Sequence, residues 1–197
     1  SIALAQKLRS MPFVVGRLKT GTPPRIDGRS INFSKLIKQE EEAETPYFSF
    51  LKPDFKALAK KACYIAYTNE RTHKIIQDNI HLSPMEYGNI VGVEPRYCPS
   101  IERKIKKFAD KSRHQIFLEP ESIYSNEIYR SGISTSLPLD IQQKFINTIE
   151  GLESAKICRS AYAIEYDYFD PRDLKPTMET KFVKNLYFAP ILIQNQT

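Results

Sequence analysis

Short runs of β-formers alternate with segments of helical period along the whole chain, and that alternation most limits the folds open to it. Residues 2–10 read as the end of a helix, with Leu4 and Leu8 one turn apart. Phe13-Val14-Val15 reads as a short buried strand. Residues 62–67 are rich in β-formers, and Thr68 or Asn69 is placed to cap a helix reaching about His81, with Ile76 and Ile80 on one face. Ser83-Pro84 ends that helix. Ile101, Ile105 and Phe108 mark a second amphipathic helix with Ser100 as its cap. Residues 115–118 and 122–129 read as strands. Asp140 is expected to cap a helix carrying Ile141, Phe145, Ile149 and Leu152, with Gly151 near its end. Further strands are expected at 47–51, 155–158, 161–166 and 186–189. With both kinds of element intermixed, the class is α/β or α+β.

The chain has 197 residues, enough for one or two domains with a real core. No apolar run approaches the roughly 18 to 20 residues of a membrane helix. Ser1-Ile2-Ala3-Leu4 lacks the basic region and apolar core of a signal peptide and has no initiator Met, which reads as a chain starting inside a longer protein. Lys and Arg number 29 against 23 Asp and Glu, a net +6 that suits a polyanion such as RNA and equally suits simple solubility. Cys63, Cys98 and Cys158 are odd in number, widely spaced and without a Cys-x-x-Cys, which fits a reducing compartment. His73, His81 and His114 show no ligand spacing, so no metal site is expected.

Four stretches carry candidate chemistry. Gly16 to Arg25 holds Arg17, Lys19 and Arg25 among two glycines and two prolines and reads as a fixed loop suited to phosphate or RNA backbone; an ordinary charged turn explains it as well. It is no Walker loop. Cys98 stands two residues before the expected helix start at Ser100, where unpaired N–H groups stabilise a thiolate, and Arg96 adds a cation. A buried, inert cysteine is the competing reading. Polar side chains cluster over residues 119–138, ordering a ligand or capping turns. Over residues 162–176 acids alternate with aromatics that either stack on bases or a flavin, or fill a core. Residues 35–46, with Glu40, Glu41, Glu42 and Glu44, read as a solvated surface segment.

Taken together these segments resemble one family. GRLKTGTPPRIDGRSINFS at 16–34, PRYCPSIERKIKKFAD at 95–110, HQIFLEPES with YSNEIY and GISTSLP across 114–138, and AYAIEYDYFDPRDLKPTMETKFV with NLYFA across 161–189 are similar, in order, to the GidA/MnmG family. The resemblance covers nearly the whole chain from Ile2 to Ala189. It implies part of a Rossmann-like FAD-binding domain with an inserted smaller α/β nucleotide-binding domain. The expected limits are 1–29 for a partial FAD-binding domain and 30–95 for the inserted domain. Residues 96–189 would close the insert and return to the FAD-binding domain, and 190–197 form a divergent tail.

The resemblance further implies FAD reduced by NADH, and addition of a carboxymethylaminomethyl or aminomethyl group to the wobble uridine of tRNA. The implied partners are tRNA and the GTPase MnmE, in homodimers and heterotetramers without a membrane. The implied location is the bacterial cytoplasm, or the mitochondrion for relatives. Cys98 matches the functional cysteine. Glu94, Pro95, Arg96, Tyr97, Pro99, Ser100, Ile101, Glu102, Lys104 and Phe108 match the nicotinamide-nucleotide segment. Arg17, Lys19, Thr20, Gly21 and Arg25 match the basic loop beside flavin and RNA. The chain departs from the family in lacking Gly-x-Gly-x-x-Gly and an upstream cysteine, in having Glu94 where a Gly is usual, and in its tail from Pro190. FAD binding by the isolated chain is therefore expected to be weak or absent. The alternative is a non-catalytic remnant of a split or degenerate gene, at most a basic RNA-binding module.

Overall fold

The computed structural model describes residues 2–39, 49–51, 59–85, 88, 90–95 and 98–188. In chain order they form helix α1 (Ile2–Arg9), strands β1 (Val15–Gly21), β2 (Arg25–Asp27), β3 (Ile37–Lys38) and β4 (Tyr64–Tyr67), and helices α2 (Glu70–Asp78) and α3 (Ile101–Lys107). Strands β5 (Gln115–Pro120) and β6 (Glu127–Ser131), helix α4 (Leu139–Ile146) and strands β7 (Ile157–Arg159) and β8 (Ala163–Phe169) follow. The class is mixed α/β, as the alternation requires. The chain divides into two compact units. Unit 1 draws on Ser1–Gly21, Pro84–Pro99 and Ala163–Thr197, and unit 2 on Thr22–Ser83 and Ser100–Tyr162. Among the described residues no helix is long and apolar enough to cross a membrane.

Unit 2 is built on a six-stranded antiparallel sheet in the order β3-β4-β5-β6-β2-β7. Side chains alternate between faces along a strand. The register places Ala66 opposite Ile116, Leu118 opposite Arg130 and Ile26 opposite Ile128. Ile26, Ala66, Ile116, Leu118 and Ile128 join one buried cluster with Ile76 of α2, Ile101 and Ile105 of α3, and Ile141, Phe145 and Ile146 of α4. Helix α2 starts with a reciprocal capping box: Thr72 N donates to Asn69 Oδ1 at 3.0 Å and Asn69 N to Thr72 Oγ1 at 3.2 Å. Ser100 caps α3 as expected, its Oγ accepting from Arg103 N at 3.4 Å.

Arg130 is the largest side chain among the buried polar groups. Arg130 is fully buried, and its Nε and Nη2 donate to Pro24 O at 3.3 and 3.2 Å. Desolvation pushes its pKa down to about 9, so it stays charged at neutral pH.

Unit 1 is centred on β1 and β8, which pair antiparallel over seven residues from Val15↔Phe169 to Gly21↔Ala163. The expected fixed loop from Gly16 to Arg25 is strand as far as Gly21, and Arg25 opens β2. A partner along the whole length overrides the weak strand preference of glycine. At Gly16 the space of a side chain is already taken, since a Cβ there would come within 2.3 Å of the Tyr168 ring. The core of this unit is small: Phe13, Phe169 and Phe188, with ring centroids 4.8 to 5.7 Å apart.

Other boundaries moved for local reasons. Asp140 lies inside the first turn of α4 rather than at its cap, because Pro138 occupies the cap position. That helix ends at Ile146; Ile149 and Leu152 are buried in the turns beyond it. Gly151 follows at φ +79°, where a side chain would be strained. Residues 122–126 are turn, with the strand starting at Glu127. Near the end, Tyr187 makes only an isolated bridge to Glu179. Residues 49–51 form a bend. The rest of the expected 47–51 strand, Glu40 to Glu44, Arg96, Tyr97, Ala189 and the tail at 190–197 lie outside the described residues.

Candidate functional site

The candidate site in unit 1 is assembled around β1. Residues 90–95 run beside it: Lys19 N donates to Val93 O at 2.9 Å, Val93 N donates to Arg17 O at 3.2 Å, and Leu18 and Val93 form a parallel bridge. The approach is close because residue 92 is glycine. A Cβ at Gly92 would lie 2.8 Å from the carbonyl carbon of Leu18.

The cations of the expected flavin- and RNA-facing stretch are each closed on a carboxylate. Lys19 is fully buried and its Nζ donates to Glu94 Oε1 at 2.7 Å, with both side chains at most 2% exposed. Arg17 donates to Asp167 at 2.8 Å and to Glu165 at 3.1 Å. Arg9, which the sequence reading did not single out, clasps Asp167 with two hydrogen bonds of 2.7 Å. Arg25 belongs to unit 2, where it holds Glu121 at 2.8 Å and lies over the Tyr129 ring. Thr20 and Gly21 pair with Ile164 and Ala163 of β8.

Strand alternation explains the acid-aromatic stretch. Glu165 and Asp167 share one face of β8, and Tyr166 and Tyr168 share the other. Glu165 Oε1 also accepts from Val91 N at 3.0 Å and Gly92 N at 2.7 Å. The Gly92 amide and then the Arg17 guanidinium hold the Glu165 carboxyl below its ordinary range. Arg9 first, then Arg17, does the same to Asp167. Asp170 caps the turn at Pro171–Asp173, and Arg172 lowers its pKa to about 2. An open depression of about 600 Å³ adjoins this network, bordered by Arg9, Phe13, Arg17, Val91 and Asp167.

Cys98 is half-buried in unit 1, its N–H bonded to Pro95 O at 3.2 Å. On β8, burial first and the charge of Cys98 second raise the Tyr166 phenol above its ordinary value. The sequence marks the 162–176 stretch only by its acids and aromatics, since nothing local reveals that Glu165 of β8 bonds the Val91 and Gly92 amides.

Pro95 and Pro99 of the expected nucleotide segment also fall in unit 1, and Ser100, Ile101, Glu102, Lys104 and Phe108 fall in unit 2. The Ile101 amide is engaged by Ser134 O at 2.8 Å and its side chain is fully buried. Glu102 is buried and accepts from Thr135 Oγ1 at 2.7 Å. Lys104 donates to Gly132 O at 2.9 Å. Phe108 ends α3 and is 43% exposed, the most exposed of these residues. Among the described residues no disulfide joins Cys63, Cys98 and Cys158.

Comparison with known proteins gives a consistent answer. A family profile described as glucose inhibited division protein A matches residues 1–190. The structure of Aquifex aeolicus GidA in its form I crystal is similar over 94% of this chain, at 46% identity and a TM-score of 0.83. The form II crystal gives 44% identity and a TM-score of 0.82 over the same share. The chain covers 32% and 30% of those two chains, about a third of their length.

Proposed function

This chain belongs to the GidA family, and from that premise we propose that it is one portion of a flavin-dependent tRNA modification enzyme. The reaction proposed is addition of a carboxymethylaminomethyl or aminomethyl group to the wobble uridine, with FAD and NADH as cofactors and the GTPase MnmE as partner. A homodimeric or heterotetrameric assembly in the cytoplasm or mitochondrion belongs to the same reading. The observation that carries it is the family match across residues 1–190, together with a half-buried Cys98 in unit 1.

In this proposal Cys98 is the nucleophile towards the uracil ring. Glu165 and Asp167 fix Arg17 and the Val91–Gly92 amides, which holds β1, β8 and residues 91–92 together. The flavin would supply the redox chemistry when bound. The described residues of unit 1 do not fit a dinucleotide pyrophosphate: Arg9, Arg17 and Lys19 are closed on carboxylates, and no Gly-x-Gly-x-x-Gly is present. The same closure favours a second reading, a non-catalytic remnant that at most binds RNA.

The deciding experiment combines this chain with a polypeptide covering the remainder of a GidA relative, MnmE, FAD, NADH, methylenetetrahydrofolate and unmodified tRNA. Nucleoside mass spectrometry is expected to show the modified wobble uridine with Cys98 and none with Cys98→Ser. Equal product from Cys98→Ser removes the proposed role of the thiol. No product from any mixture, while the isolated chain still binds tRNA in a gel shift, favours the remnant.

A further inference from the structure

Unit 2 holds a pocket of about 350 Å³, none of whose lining residues belongs to the site described above. It opens at the end of the buried sheet face. Leu118 of β5 pairs with Tyr64 of β4, and Pro120 of β5 pairs with Ile128 of β6, so these neighbours form an apolar floor. The turn at Phe33–Lys35 brings Phe33 alongside, with its ring centroid 4.7 Å from that of Tyr64. The rim is polar and carries no carboxylate among its lining residues. Lys61 Nζ donates to Ser122 O at 3.2 Å, which engages one of its three protons. Arg29 is 75% exposed and clasped by Asp27, so the net charge at the rim comes from Lys61. The Ser125 hydroxyl, which accepts from Glu127 N, and the exposed Asn126 side chain complete it.

We propose that this pocket binds a single nucleotide, with its base against Tyr64 and Phe33 and its phosphate at Lys61. Three features select that class. The volume lies at the small end of ligand sites, which suits a mononucleotide rather than a dinucleotide. Two aromatic rings offer a planar base a surface indifferent to its sequence. The positive charge of Lys61 at the rim, where Asp27 already balances Arg29, favours a phosphate over a neutral or positive group. An apolar ligand would leave the rim donors unused, and a small anion without a ring would leave the floor uncovered. A free mononucleotide and one nucleotide of an RNA strand present the same chemistry. The inference rests on unit 2 alone and does not depend on the wobble-uridine reading.

The test is calorimetric titration of the full 197-residue chain at low salt with UMP, with uridine and with a pentauridylate strand, in an assay that contains no flavin. Lys61→Gln keeps a donor for Ser122 O, and Tyr64→Leu keeps the apolar filling; hydrogen exchange at β4 and β5 verifies that both variants remain folded. UMP is expected to bind, about tenfold more weakly in Lys61→Gln, with uridine unchanged by that substitution. Tyr64→Leu is expected to weaken both. Binding of UMP identifies a free nucleotide site; binding of the strand alone, with the same sensitivity to both variants, identifies a nucleotide of RNA. Failure of both ligands to bind, or binding that neither substitution alters, overturns the proposal.

Discussion

The two units hold their shape by different means. Unit 2 closes one sheet face under three helices of its own, and its buried cluster runs to seventeen residues, most of them isoleucine or leucine. Unit 1 has three buried phenylalanines and depends on ion pairs along a two-stranded ribbon: Lys19–Glu94 inside, and Arg9, Arg17, Glu165 and Asp167 nearer the surface. Unit 1 also shows more of its apolar side chains, Ile2 and Val91 among the most exposed. Apolar burial is non-directional and survives small displacements, whereas a buried ion pair is favourable only while both partners stay in place. Unit 1 should therefore be the more sensitive to loss of one atom group and to changes of medium.

The largest expected effect tests the buried pair. Glu94→Ala strands the Lys19 ammonium, and breaking a buried pair costs about 3–5 kcal/mol. Hydrogen exchange should show that loss in β1 and β8 while β4 to β6 stay protected. Replacing both partners, Lys19→Met with Glu94→Leu, should restore most of it. Equal loosening of both units would break the comparison.

Acid should separate the units in the opposite order. All three histidines lie in unit 2. Thr68 Oγ1 lies 2.7 Å from His73 Nε2 and accepts from His114 N at 2.7 Å, which holds the two rings 5.1 Å apart. Burial lowers the pKa of both imidazoles; Glu70 opposes this at His73, while His73 and Lys104 add to it at His114. With folded values below the unfolded one, the unfolded chain takes up protons first. Their contribution is complete above the unfolded value of about 6.5 and declines as pH falls towards the folded values. The lowered carboxylates of unit 1 contribute fully above about pH 4 and lose their contribution only as pH falls through their folded values. Exchange measured from pH 7.5 to 5 should loosen unit 2 and spare unit 1. Unit 1 loosening first would contradict this assignment.

The smallest effect sharpens the contrast within unit 1. Arg17→Gln removes a partly exposed guanidinium that shares Asp167 with Arg9, and the change should stay within about 1 kcal/mol and shrink as salt is added. A larger, salt-independent loss would mean that the network matters as much as the buried pair.

Much of unit 2 was legible beforehand. The caps at Asn69 and Ser100 and the helical spacing of Ile101 and Ile105 are local signals, and they landed where expected because short-range hydrogen bonds and period decide them. The strand from Val15 to Gly21 was not legible as such, because its ladder partner lies about 150 residues away. The candidate site divides along the same line. Cys98 stood out by its setting in the sequence. That Lys19 would be withdrawn by Glu94, and that Arg9 would join Arg17 at Asp167, required the folded arrangement.

By itself the sequence determined the mixed α/β class, the starts of α2 and α3, the family and the candidate thiol, since each depends on neighbouring residues or on long ordered motifs. Only the tertiary structure decided which cations are closed on carboxylates, which strand lies along β1 and where a pocket opens in unit 2. Those outcomes depend on pairings between distant segments, where charge is cancelled or exposed according to which strand lies alongside.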